Sequence, residues 1–118
     1  MLEFSGQLDF DKPLDKETYE QLVELTQTPC KSPEYPGKWC EWAPTEDRLH
    51  LEWDGGEGEF NNWEAWLIYL VNSVLASKGY KATGRLYWRD DIDFHDFGTI
   101  LVRDGIWIIP GSFPQEPF

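Results

Sequence analysis

Four aspartates fall within seven residues, at Asp90, Asp91, Asp93 and Asp96, with His95 among them. Carboxylates at alternating positions are ligands that a hard cation such as calcium takes. The spacing fails the helix–loop–helix calcium pattern: counted from Asp91, the sixth position is not Gly, and the twelfth is Val102 where a Glu is required. The expectation is a solvated acidic turn with no metal and no cofactor. A second acidic stretch runs from Glu41 to Glu64. It holds Glu46, Asp47, Glu52, Asp54, Glu57 and Glu59, with Arg48 as its one cation, a local charge of −7. Carboxylates a few ångström apart on a rigid sheet imitate a row of phosphates. A basic nucleic-acid-binding groove would accept such a surface as a decoy, helped by long-range steering. A plain solvated surface is the simpler account, but solubility needs a net charge of only about 2–8 in magnitude.

Catalysis finds little support. His50 and His95 are the only histidines, and no Ser or Cys nucleophile motif, phosphate-binding loop or His-Glu metal motif is present. The chain reads as non-enzymatic. A two-carboxylate hydrolase, which needs only Asp and Glu at the right separation, stays open. Cys30 and Cys40 lack a nearby histidine for zinc and are expected as free thiols. Most of the seven tryptophans belong in the core. Trp39 and Trp42 cannot both point inward from one regular strand, since their spacing is odd. One or two exposed rings beside the acidic loop, with Trp42 and Trp53 as candidates, suit a protein-binding hot spot or a sugar-stacking platform.

Composition narrows the partner class. The 118 residues fit one domain, and 41% hydrophobic with 16% aromatic content suffices for a core. The net charge of −12 disfavours direct binding of nucleic acid or an anionic membrane, because phosphate binding rests on Lys and Arg. It favours a basic protein. No run approaches the roughly 20 apolar residues of a membrane span, and the start does not read as a signal peptide, so the expected compartment is the cytoplasm.

The elements that must position these residues follow from hydrophobic period. Leu2, Phe4, Leu8 and Phe10 alternate with polar residues, which predicts a strand with Gly6 at a bulge or close contact. Asp15 is placed to cap a helix whose inner face is Tyr19, Leu22, Val23 and Leu25 or Thr26, with Leu14 and Tyr19 as a staple. Lys38 to Ala43 and Arg48 to Trp53 read as a hairpin. Asn61 and Glu64 resemble a capping box that opens a second helix, whose apolar positions run Trp63, Trp66, Leu67, Leu70, Val71, Val74 and Leu75, with Gly79 as C-cap. Lys81 to Arg89 predicts a strand. Thr99 to Arg103 and Ile106 to Ile109 predict a hairpin closed by Asp104-Gly105. Residues 110–118, with Pro110, Pro114 and Pro117, read as an extended, partly loose tail. Ser5-Gly6-Gln7-Leu8 is echoed by Thr83-Gly84-Arg85-Leu86. The fold class is α+β, with order β-α-β-β-α-β-β-β: a mostly antiparallel sheet of about six strands with both helices on one face.

From Trp39 to about Val102 the chain resembles a family of small uncharacterised acidic proteins of bacteria and bacteriophages. The likeness rests on Trp39-Cys40-Glu41-Trp42-Ala43-Pro44-Thr45-Glu46-Asp47 and Leu51-Glu52-Trp53-Asp54-Gly55-Gly56-Glu57. It continues through Trp66-Leu67-Ile68-Tyr69-Leu70 and Gly84 to Trp88, and ends on Asp96-Phe97-Gly98-Thr99-Ile100. The resemblance implies a phage or mobile-element setting and no mechanism. Glu57-Gly58-Glu59 makes this loop more acidic than the family pattern, which carries a Lys after the first Glu.

The leading expectation is therefore an acidic, non-enzymatic inhibitor or decoy that docks on a basic protein such as a defence nuclease. Its contacts would be Glu46, Asp47, Glu52, Asp54, Glu57, Glu59, Asp90, Asp91, Asp93 and Asp96, with Trp42 and Trp53. The rivals are a small-ligand or carbohydrate-binding module and, third, a small hydrolase.

Overall fold

Alternation at the start of the chain builds the central strand. In the computed structural model, which describes residues 1–111, β1 (Leu2–Phe10) runs between β3 (His50–Trp53) and β4 (Ala82–Asp90). With β2 (Trp42–Pro44), β5 (Phe97–Val102) and β6 (Ile106–Pro110) it forms a six-stranded antiparallel sheet of order β2-β3-β1-β4-β5-β6. Phe4, Leu8 and Phe10 are buried on one face, opposite Trp88, Gly84 and Ala82 of β4. Leu86, Ile100 and Val102 extend that face. Helix α1 (Lys16–Gln27) and helix α2 (Trp63–Tyr69), which runs on into a π-helical segment (Leu70–Leu75), cover it. The fold is the expected α+β arrangement.

Local chemistry explains the helix ends. The Asp15 carboxylate accepts from the Thr18 N–H at 2.7 Å and so caps α1, and the Tyr80 hydroxyl donates to the same carboxylate at 3.2 Å. Thr18, Leu22 and Leu25 form its buried stripe, with Tyr19, Val23 and Thr26 half-buried beside them. The second helix differs from expectation at its start. Its N-cap is Asn62, in a left-handed conformation with φ 61°, and no side chain caps it. The Asn62 amide instead donates to the Pro36 carbonyl at 2.9 Å, so the capping box does not form. The spacing of four and five among Leu70, Val74 and Leu75 suits the wider π turn, and all three are buried. Gly79 ends the segment at φ 84°, with Tyr80 N–H donating to Leu75 O in a Schellman-type closure.

Two strand boundaries also shift. β2 begins only at Trp42, because the Lys38 carbonyl accepts from Cys30 N–H and serves the loop instead of the ladder. Arg48 has φ 65°, so β3 starts at His50 and Leu49 is left exposed. Pro110, assigned to the tail by sequence, is the last residue of β6, and residues 112–118, with Pro114 and Pro117, lie outside the described residues.

The four-residue echo has a structural meaning. Gly6 pairs with Leu86 and Leu8 pairs with Gly84, so the two segments face each other across a local two-fold centred on Gln7 and Arg85. Each glycine has positive φ, 84° at Gly6 and 140° at Gly84. A Cβ on Gly6 would lie 2.6 Å from Arg85 O, and one on Gly84 would lie 3.0 Å from Gln7 O. Both positions therefore require glycine.

Candidate acidic binding site

Strand direction gathers the acidic segments. β1 and β5 begin, and β3 and β4 finish, at the same end of the sheet. That end carries Glu3, Glu41, the loop from Asp54 to Glu59, and the turn from Asp90 to Asp96. Beneath it lies an aromatic floor. Phe4 meets Trp42, Trp53 and Phe60 edge-on at 5.0, 5.7 and 6.1 Å, and Trp63 lies 5.9 Å from Trp88. Rings packed this way hold the loops above them in place.

One cation shows how closely the carboxylates converge. The Met1 ammonium lies 2.9 Å from Asp91 Oδ1, 3.3 Å from Asp90 Oδ1 and 3.5 Å from Glu59 Oε1. Its pKa is raised from 8.0 to about 10, chiefly by the hydrogen bond to Asp91. This contact joins the two acidic segments that the sequence separates by about thirty residues. Nearby, Arg89 pairs with Glu3 at 3.1 Å.

Two cavities share this rim. One of about 340 Å³ is lined by Lys38, Trp39, Cys40, Glu41, Asp54 and the loop through Glu59. Burial raises the pKa of both Glu41 and Asp54, and the Asp54 charge adds to the effect on Glu41. The Trp53 indole N–H donates to Glu41 Oε1 at 3.3 Å, and Gly56 N–H donates to Asp54 Oδ1 at 2.9 Å. A side chain at Gly56 would collide with the Glu41 carboxylate. The second cavity, of about 420 Å³, is lined by Glu3, Arg89, Asp90, Asp91, Phe94 and Asp96.

The Asp90–Asp96 turn spends several of its carboxylates internally. Asp90 Oδ1 accepts from the N–H groups of Ile92 and Asp93, which hold its pKa down. Asp93 accepts from His95 N–H, and Asp96 accepts from the Trp88 indole at 2.9 Å. Among the described residues no group of three or more potential ligands converges on a metal position.

Of the residues singled out by sequence, Asp54, Glu57, Glu59, Asp90, Asp91, Asp93 and Asp96 lie at this end. Glu46 and Asp47 do not: they sit in the β2–β3 turn at the opposite end, where Asp47 accepts from the Thr45 hydroxyl and Leu49 N–H. Glu52 lies on the outer sheet face, opposite Ala43. Trp42 is fully buried and presents no surface to a partner, because it is the inward member of the Trp39–Trp42 pair. Trp39 takes the exposed place, at 46%. Trp53 is half-buried and tied to Glu41. Sequence reading missed Ile92 and Phe94, which are 79% and 83% exposed. Their signal was the interleaving of apolar residues with aspartates in a turn too short to reach the core.

Among the described residues no helix is long and apolar enough to cross a membrane. Comparison of the chain with protein-family models, with curated proteins and with solved structures finds no match, so its functional reading rests on geometry and charge.

Proposed function

We propose that this chain is a non-enzymatic binding protein whose acidic end docks on a basic surface of a protein partner. The target class that fits is a nucleic-acid-binding enzyme, whose phosphate-binding groove the carboxylates occupy. The phage or mobile-element setting implied by the family resemblance belongs to the same proposal. The observation that carries it is the Met1 ammonium, held at 2.9–3.5 Å by Asp91, Asp90 and Glu59. Beside that ammonium the Glu59 and Asp91 side chains stay 62% and 43% exposed, within reach of lysines of a partner, and the surrounding field would speed their encounter. Ile92, Phe94 and Trp39 border the carboxylates and supply the apolar contacts that anchor interfaces.

The test is capture of basic proteins from a bacterial lysate on the immobilised chain. Retention should fall steeply as salt rises. A triple Glu57→Lys, Glu59→Lys, Asp91→Lys variant should bind about tenfold more weakly or worse. The variant Glu46→Lys, Asp47→Lys, altered at the opposite end, should bind as wild type. Retention that ignores salt, or equal loss in both variants, refutes the proposal.

A second reading draws on one observation: Glu41 and Asp54, both with raised pKa, line a cavity beside exposed Trp39. A neutral sugar stacked on Trp39 would suit that cavity, and a hydrolase would use the two carboxyls. Calorimetric titration with a panel of oligosaccharides, using Trp39→Ala as control, distinguishes this reading from the first.

A further inference from the structure

Among the described residues the two edges of the sheet are finished differently. Both edge strands end in a proline, Pro44 and Pro110, but β2 is only three residues long and lies beside α1. A short strand and a covering helix are means by which edges are blunted. At the other edge β6 reads Ile106-Trp107-Ile108-Ile109-Pro110, without a charge, in unbroken register with β5. Uncharged apolar edges of this kind are templates for another strand.

The hydrogen-bond phase of β6 shows what that edge offers. Gly111 N–H donates to Phe97 O, and Arg103 N–H donates to Gly105 O, both at 2.9 Å. Antiparallel ladders alternate bonded and non-bonded pairs, so Leu101–Trp107 and Thr99–Ile109 are the bonded pairs between. The backbone groups of Ile106, Ile108 and Pro110 therefore face away from β5. Pro110 has no N–H and sits where an edge tolerates it. On the outer sheet face Trp107 and Ile109 are 56% and 40% exposed.

We propose that β6 is a dimerisation strand: a second copy of this chain pairs its own β6 antiparallel against it and continues the sheet. In that register Ile106 and Ile108 exchange N–H···O bonds with Ile108 and Ile106 of the second copy, and the two Trp107 rings meet across the two-fold axis. The register is symmetric about Trp107 and so fits a second copy, and the charge distribution permits one at this edge. Two chains of −12 can approach only where carboxylates are few, and between Phe97 and Gly111 Asp104 is the only one. The strand order puts Glu41 to Glu59 beyond β3, near the opposite edge. The dimer leaves both acidic ends free and does not depend on what they bind.

Salt separates this interface from the acidic one. Screening relieves repulsion between two like-charged copies, so the dimer should tighten as salt rises, opposite to capture of a basic protein. Light scattering on the full chain across a concentration series should give twice the 13.8 kDa monomer mass, with a dimer fraction that grows with salt. Trp107→Lys opposes two ammonium groups at the two-fold and should halve the apparent mass. In the unaltered chain, hydrogen exchange should show the Ile106 and Ile108 amides gaining protection as concentration rises, which decides the matter even if the variant fails to fold. A monomer at every concentration, or a folded Trp107→Lys that stays dimeric, overturns the proposal. Protection of those two amides that is independent of concentration also overturns it, because the edge is then covered within one chain.

Discussion

Partial desolvation raises the pKa of Glu41, which is half-buried, and of Asp54, at the exposed mouth of the same cavity. An acid whose pKa is raised by folding binds its proton more tightly in the native state, so its ionisation destabilises the fold as pH climbs through the raised value. Glu41→Gln and Asp54→Asn should therefore melt higher than wild type at neutral pH. The gain should disappear below about pH 4, where the wild-type carboxyls are protonated in the unfolded chain as well. Melting curves at the two pH values check this, and equal melting at neutral pH would exclude burial as the controlling effect. The Met1 ammonium works in the other sense. Its pKa rises from 8.0 to about 10, so its contribution is complete below pH 8 and is lost between pH 8 and about pH 10. Acetylating the amino terminus should flatten the stability profile in that window. The cysteines differ as well. Both are free, Cys40 is buried with its pKa pushed up to about 12, and Cys30 is half-buried. Since thiolate is the reactive form, Cys30 should alkylate well before Cys40 in the native protein, and similar rates would contradict the packing. The acidic segments were visible in sequence. Which carboxylates converge was not, because Glu59 and Asp91 meet only through the pairing of β1 with β3 and β4.

At the level of elements, alternation and periodicity located both helices and all six strands, because each buries one face against the same core. Boundaries failed where backbone groups found other partners, as at Lys38, whose carbonyl serves Cys30, and at Asn62, whose amide serves Pro36. The order of strands was not legible, since β1 takes neighbours from distant parts of the chain. The glycine echo was a trace of one such pairing, but four residues do not reveal an axis. Gly6→Ala and Gly84→Ala should each cost about 2 kcal/mol or more, from positive φ and contact with the facing strand. Equilibrium denaturation measures this, and a loss under about 0.5 kcal/mol, within the range of ordinary surface changes, would show that the two strands are not so closely apposed.

Across the whole molecule the surplus charge is neither uniform nor confined to one patch. The end built from Asp54 to Glu59 and Asp90 to Asp96 is the densest, while Glu17, Glu20 and Glu24 leave a second acidic stripe exposed on α1. That stripe is an internal control for binding at the acidic end, having charge without exposed apolar tips like Ile92 and Phe94. The most direct test is an NMR titration of the full chain with a short oligolysine peptide at low salt. Shifts should concentrate at Met1 to Glu3, Asp54 to Glu59 and Asp90 to Asp96, with α1 nearly unchanged. Shifts that track α1 as strongly as the acidic end, or appear nowhere, would contradict binding there.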